Sequence, residues 1–114
     1  MNECLFCGIA AGEIPCETVY EDARVLAFRD IMPQTKNHVL IIPKQHLDSL
    51  NDLAGADDAL LAHLLRAAEK VARAESIADS GYRLVSNCGN DACQSVHHLH
   101  FHVLGGQQLS PRMD

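Results

Sequence analysis

Residues 95–106 read SVHHLHFHVLGG, and from position 98 onward the pattern alternates without a break. On an extended strand His98, His100 and His102 point to one side, and Leu99, Phe101 and Val103 point to the other. The apolar set is the core-facing one. A strand over 96–104 would therefore hold three imidazoles on one surface, successive ones about 6.6 Å apart from the strand rise. A merely solvated strand face is ordinarily built from Thr, Lys or Glu, so the three histidines ask for a chemical role.

Working outward, residues 38–43 (HVLIIP) form an apolar run of the kind a buried strand needs. Residues 17–20 and 25–30 read as a hairpin turning at Glu21-Asp22-Ala23, and 82–87 as a further strand. From 56 to about 77 the period changes to 3.6. Leu60, Leu61, Leu64, Leu65, Ala68, Val71 and Ala72 make one stripe, with Asp57 and Asp58 suited to the helix N-terminus. His63 lies on this helix and reads as a solvated side chain. The opening CLFCGIAAG reads as a short helical turn stopped by Gly12. Strands and one long helix in this order predict an α+β fold, with an antiparallel sheet covered on one face.

The 114 residues are 47% hydrophobic, enough for one compact domain over 1–114 and too few for two. No apolar run approaches the roughly 20 residues of a membrane span. The first residues lack the basic start and long apolar stretch of a secretory signal, so the expected location is cytoplasmic. A formal charge of −6 with scattered Lys and Arg argues against long nucleic acids, which need a basic stripe. A small anionic ligand held by local donors stays open. Five cysteines without an export signal do not make a disulfide framework.

Histidines two apart on a strand suit two chemistries. They can hold one metal whose bound hydroxide attacks, or they can serve as nucleophile, acid and base themselves. Asn87, Gly89, Gln94 and Ser95 precede the strand in a loop rich in amide, hydroxyl and backbone donors. Such donors suit phosphate oxygens, and no carboxylate stands near in the sequence to complete a metal site.

CQSVHHLHFHVLGG resembles the signature of the histidine-triad nucleotide-binding family, His-x-His-x-His followed by two apolar residues. GEIP at 12–15, the pair Phe28 and Asp30, NHVLIIPKQH at 37–46 and Asn87 agree with it, so the likeness spans nearly the whole chain. It is similar to the short branch of purine nucleoside phosphoramidases rather than to the longer dinucleoside polyphosphate hydrolases. The related galactose-1-phosphate uridylyltransferases carry Gln where this chain has His102, which favours hydrolysis over transfer.

The resemblance implies about five antiparallel strands with one long and one short N-terminal helix. It implies a nucleophile at His100, which attacks the α-phosphorus of a purine nucleotide, expels an amine and leaves a nucleotidyl-histidine for water to hydrolyse. Imidazole, with an ordinary pKa of about 6.5, is largely neutral and nucleophilic near neutral pH. His102 would hold the non-bridging phosphate oxygens, with Ser95 and Asn87 as phosphate and leaving-group contacts and His38 as a fourth histidine behind the triad. Asp30 would accept from the ribose hydroxyls, while Phe6, Ile9, Ile14, Phe28 and Ile31 would clamp the base.

The same resemblance implies a structural zinc on Cys4, Cys7, His46 and His98, a closed Cys2His2 set, with His97 a rival ligand only if the register shifts. It also implies a homodimer, in which the C-terminal segment tunes the leaving group. Cys93 departs from the family's usual small glycine, and His97 from its frequent tyrosine. Two other readings of the residues remain at this point: hydrolysis of a dinucleoside polyphosphate or other nucleotidyl conjugate, and a nucleotide-binding regulatory or scaffold protein with incidental activity.

Overall fold

The computed structural model describes residues 4–113. Five strands, β1 (Thr18–Glu21), β2 (Val25–Arg29), β3 (Asn37–Pro43), β4 (Tyr82–Val85) and β5 (Phe101–Gly105), form one antiparallel sheet in the order β1-β2-β3-β5-β4. The predicted α+β class and strand count are what is observed. A short helix, α1 (Leu5–Ala10), precedes the strands, and the long helix α2 (Asp58–Ala74) separates β3 from β4. Among the described residues no helix is long and apolar enough to cross a membrane.

Local chemistry accounts for the ends of α2. The Asp57 carboxylate accepts from the Leu60 N–H at 2.8 Å, an N-cap bond, and Ser76 leaves the helix with φ +61°. Its buried stripe is Leu60, Leu64, Ala67, Ala68, Val71 and Ala72. The expected stripe differs at three positions. Leu61 is half-buried and Leu65, about 100° around the helix from the centre of the seam, is 61% exposed, while Ala67 is buried instead.

Both sheet faces are covered, not one. Val25, Ala27, Val39, Ile41, Leu99 and Val103 pack with the α2 stripe. The alternate residues Leu26, Phe28, Leu40 and Ile42 pack with Phe6 and Ile9 of α1. The α1 layer escaped the sequence reading because one short helix shows no amphipathic period. Strands buried on both faces are continuous apolar runs, which is why 38–43 does not alternate. Each such aliphatic side chain stabilises the fold by roughly 1.5–3 kcal/mol on burial.

The histidine strand is shorter than expected, since β5 begins only at Phe101. Residues 96–98 bend, and the Leu99 N–H goes to the Leu47 carbonyl at 2.6 Å rather than to a strand ladder. Beyond β5 the chain turns at Gly106, with φ +82°. A Cβ there would lie 2.1 Å from the Asn37 amide oxygen, so only glycine fits.

Candidate active site and metal centre

Register places the site. His102 lies opposite Leu40 of β3 and Val85 of β4, and His38 lies opposite Leu104. These residues, with Phe28, occupy the sheet face that α1 covers in part. The evenly spaced row of three rings is not what forms. The His100 and His102 ring centroids are 5.1 Å apart, whereas the bend turns His98 toward His46, at 4.9 Å.

His100 is buried edge-on against Phe6, with centroids 5.1 Å apart. Its Nδ1 lies 2.7 Å from the backbone carbonyl of His98. A carbonyl only accepts, so Nδ1 carries the proton and Nε2 keeps its lone pair. The Ser86 hydroxyl donates to the His100 carbonyl at 2.8 Å and pins the backbone of the same residue.

A second chain of bonds sets the opposite tautomer on His102. The Gln34 N–H donates to Nδ1 of His38 at 3.0 Å, so His38 holds its proton on Nε2. That Nε2–H lies 2.8 Å from Nδ1 of His102, leaving His102 with its own proton on Nε2. Burial pushes the His102 pKa down to about 4, helped by the neighbouring His100 and His38. Burial also lowers His38, with Asp30 opposing. Both rings are therefore neutral at pH 7. A lone pair on His100 stands beside an N–H donor on His102.

Asp30 also enters this cluster, 3.4 Å from Nε2 of His38, which corrects the expectation that no carboxylate stands near. It arrives from β2 through sheet pairing, invisible in linear spacing. Asp30, His38 and His102 place three ligand atoms within 4.8 Å. They are not arranged as a metal cage, because the Gln34 donor keeps a proton on the His38 nitrogen that a metal would need. The other Asp30 oxygen accepts from the Met32 N–H at 2.8 Å.

A donor set that suits a metal lies on the other side of His98. Cys4, Cys7, His46 and His98 bring four ligand atoms within 4.8 Å of one another. Nδ1 of His98 is 3.3 Å from Sγ of Cys4 and 3.4 Å from Sγ of Cys7, and Nδ1 of His46 is 3.1 Å from Sγ of Cys7. The nitrogen–sulfur edge of a tetrahedral zinc site is about 3.6 Å, from its usual bond lengths. Two thiols and two imidazoles at these separations fit zinc.

The outer nitrogens of that set are anchored as well. Nε2 of His98 donates to the Pro43 carbonyl at 2.8 Å, and Nε2 of His46 lies 2.6 Å from the Asp48 carboxylate. Each bond presents Nδ1 as the lone-pair atom facing the sulfurs. Asp48 carried no sequence signal beyond standing two residues after His46. The exposed His97 is not in the set.

Other expected residues are placed as follows. Phe6, Ile9 and Phe28 are buried in one cluster with Ile14 packed against it, and Phe6 and Phe28 meet edge to face at 5.6 Å. Ile31 is 95% exposed, outside that cluster, because it lies two residues beyond the end of β2, in a solvent loop. Ser95 is exposed and Asn87 half-buried. A cavity of about 230 Å³ opens beside His102, lined by His38, Asn87, Val85, Arg83 and Leu104 among others. Larger hollows of about 440 and 430 Å³ lie around Gly81 and Gln107, hold no histidine, and have no connection to this chemistry. His63 is spent on the Ala59 carbonyl at 2.8 Å, a local helix contact.

A model described as the HIT domain matches residues 11–109. The purine nucleoside phosphoramidase of Escherichia coli (strain K12) is 41% identical over 112 residues, spanning 98% of this chain and 94% of that protein. A 14 kDa zinc-binding protein of Zea mays is 50% identical over 109 residues, spanning 93% and 84% respectively. The crystal structure of a HIT family hydrolase from Legionella pneumophila superposes with a TM-score of 0.91 at 50% identity, covering 96% of this chain and 97% of that one.

Proposed function

The chain belongs to the HIT domain family, and on that premise we propose that it is a hydrolase cleaving the P–N bond of purine nucleoside 5′-phosphoramidates. The observation that carries the reading is the pair of opposed tautomers. The His98 carbonyl leaves Nε2 of His100 as a lone pair, and the Gln34–His38–His102 chain leaves Nε2 of His102 as a donor. The similarity to a purine nucleoside phosphoramidase supports the substrate class.

In this reading Nε2 of His100 attacks the α-phosphorus. The P–N bond breaks as the leaving nitrogen takes a proton from solvent water, the amine departs, and a nucleotidyl-His100 intermediate remains, its charge balanced by the hydroxide formed. Water then cleaves the P–Nε2 bond, releasing the nucleoside monophosphate and restoring the imidazole. Two moderate barriers replace one high barrier. His102 donates to a non-bridging oxygen as negative charge builds there, with Ser95 and Asn87 as further donors. It acts as a fixed donor and not as a proton source. His38 has only one proton to pass on, and passing it would create an imidazolate.

The base lies against Phe6, Ile9, Ile14 and Phe28, and Ile31 forms the outer lip. Asp30 accepts from the ribose hydroxyls with the lone pairs that Met32 and His38 leave unused. Cys4, Cys7, His46 and His98 would hold a zinc ion, and with four protein ligands it would be structural, leaving no position for a reacting water.

The test is incubation with adenosine 5′-phosphoramidate, alkaline quenching and mass spectrometry of the His100 peptide. A nucleotidyl adduct on His100, and loss of turnover in His100→Ala, are expected. Full turnover by His100→Ala would refute the reading. Parallel assays with dinucleoside polyphosphates would show whether another leaving group is preferred.

A further inference from the structure

The loop that connects β4 to the histidines is held shut by the side chain of Gln94. It contains a 3-10 turn at Asn90–Ala92 flanked by two residues of positive φ, Gly89 at +84° and the left-handed Cys93 at +61°. Such a loop has no ladder to hold it. The Gln94 N–H donates to the Gly89 carbonyl at 3.1 Å, and the Gly89 N–H donates back to Oε1 of Gln94 at 2.9 Å. Nε2 of Gln94 then donates to the Asp48 carbonyl at 2.7 Å and to the Val96 carbonyl at 3.1 Å. Both amide hydrogens and the amide oxygen are engaged with backbone.

This arrangement changes what the loop offers. Gln94 and the Gly89 N–H are committed to each other, so they are not donors to a phosphate. Asn87 and Ser95 remain, one on each side of the brace. The anchor point is equally specific. Asp48 is the residue whose carboxylate meets His46, and the Leu47 carbonyl beside it takes the Leu99 N–H. The segment 46–48 therefore carries a ligand of the Cys2His2 set, a strap to the histidine run and the tether of the Gln94 amide.

We propose that Gln94 is a positioning residue that sets Asn87 and Ser95 against the His100–His102 pair without touching substrate. The proposal rests on the phosphoramidase reading for its kinetic half only. A carboxamide is the side chain that suits the place, since one group must accept from Gly89 and donate twice. Glutamate keeps the acceptor and loses both donors.

The experiment compares wild type, Gln94→Glu and Gln94→Ala by amide hydrogen exchange at Gly89, by kcat and KM on adenosine phosphoramidate, and by adenosine affinity. In Gln94→Ala the Gly89 amide should exchange at least about tenfold faster, because its Oε1 acceptor is gone. There kcat should fall about 10- to 100-fold, adenosine affinity staying within about twofold, since misplacement by about 1 Å is costly to the reaction and not to base stacking. Gln94→Glu should keep Gly89 protected and lose part of kcat. A purely structural role would lower the melting temperature and leave kcat intact, and that result would overturn the proposal. Unchanged Gly89 exchange in Gln94→Ala would sink the brace itself. Wild-type protein that turns over no nucleotide conjugate would sink the functional reading together with the kinetic half, while the exchange data would still judge the brace.

Discussion

The backbone carbonyl of His98 lies 2.7 Å from Nδ1 of His100, while the ring of the same His98 faces the sulfurs of Cys4 and Cys7. One residue therefore joins the Cys2His2 cluster to the proposed nucleophile. Its side chain is held by one site, and its peptide group sets the tautomer in the other.

Loss of a ligand should travel along that link. Cys7→Ala is expected to abolish zinc in the purified protein and to lower kcat about 10- to 100-fold, the usual range for outer supports of a site. KM for a phosphoramidate should change little. Metal analysis beside kinetics checks this, and wild-type turnover in a metal-free, folded variant would contradict it.

The donor role of His102 depends on a buried neighbour. His38→Leu should free the Gln34 N–H and remove the bond that protonates Nε2 of His102, so both His102 tautomers should appear in its ring nitrogen chemical shifts. A fall of about tenfold or more in kcat should accompany it. A single, unchanged tautomer would show that His38 is not the orienting partner.

Acid should destabilise the protein in a defined window. His102 is held at about 4 when folded, against an ordinary 6.5, mainly by burial. Between those values the unfolded chain binds the additional proton. The stability is thus fully present above about pH 6.5 and declines as the pH falls toward 4. Burial lowers His38 and His98 in the same direction. Urea unfolding of wild type and His102→Gln across this range should give a shallower slope for the variant, and equal slopes would refute the assignment.

Away from the site, Arg29 joins two carboxylates. Its guanidinium takes Glu75 through both terminal nitrogens and Glu17 through Nε at 2.6 Å. The Glu75 side chain is only 5% exposed, and the Arg29 contact holds its carboxyl below the usual range. Arg29→Met should cost about 2 kcal/mol, less than a fully buried pair because Arg29 itself is 41% exposed. Adding Glu75→Gln should recover part of this in denaturant titrations. An additive double variant would exclude the coupling.

Leu99, 1% exposed, faces the α2 layer between two histidines. Leu99→Ala should lower stability by about 2–5 kcal/mol through the cavity it leaves. A loss under about 1 kcal/mol would mean that the bend at 96–98 relaxes to fill it.

Much of this architecture was legible in the residues themselves. The apolar run 38–43 is β3, the 3.6-period stretch is α2, and the alternating histidines do divide a layer of core from a layer of chemistry. Periodicity fails where the chain stops repeating. The bend before Phe101 is caused by a bond from Leu99 to Leu47, a partner 52 positions away, and no local pattern encodes it. Asp30 reaches His38 in the same way, through strand pairing. Gln94 looked like one donor among several, because a sequence does not reveal which amides are already engaged. The 3.6 period admits Leu65 at the margin of the stripe, and packing leaves that margin in solvent.

The Cys2His2 set draws its atoms from positions 4, 7, 46 and 98, so it ties α1 to the bend that leads into β5. Nothing local can assemble it. During synthesis its first two thiols must wait until His98 has emerged, and in refolding the four ligands meet only after the loop from 7 to 98 has closed. Zinc held there would be captured only as that long-range closure completes, so withholding it should slow the final step of refolding.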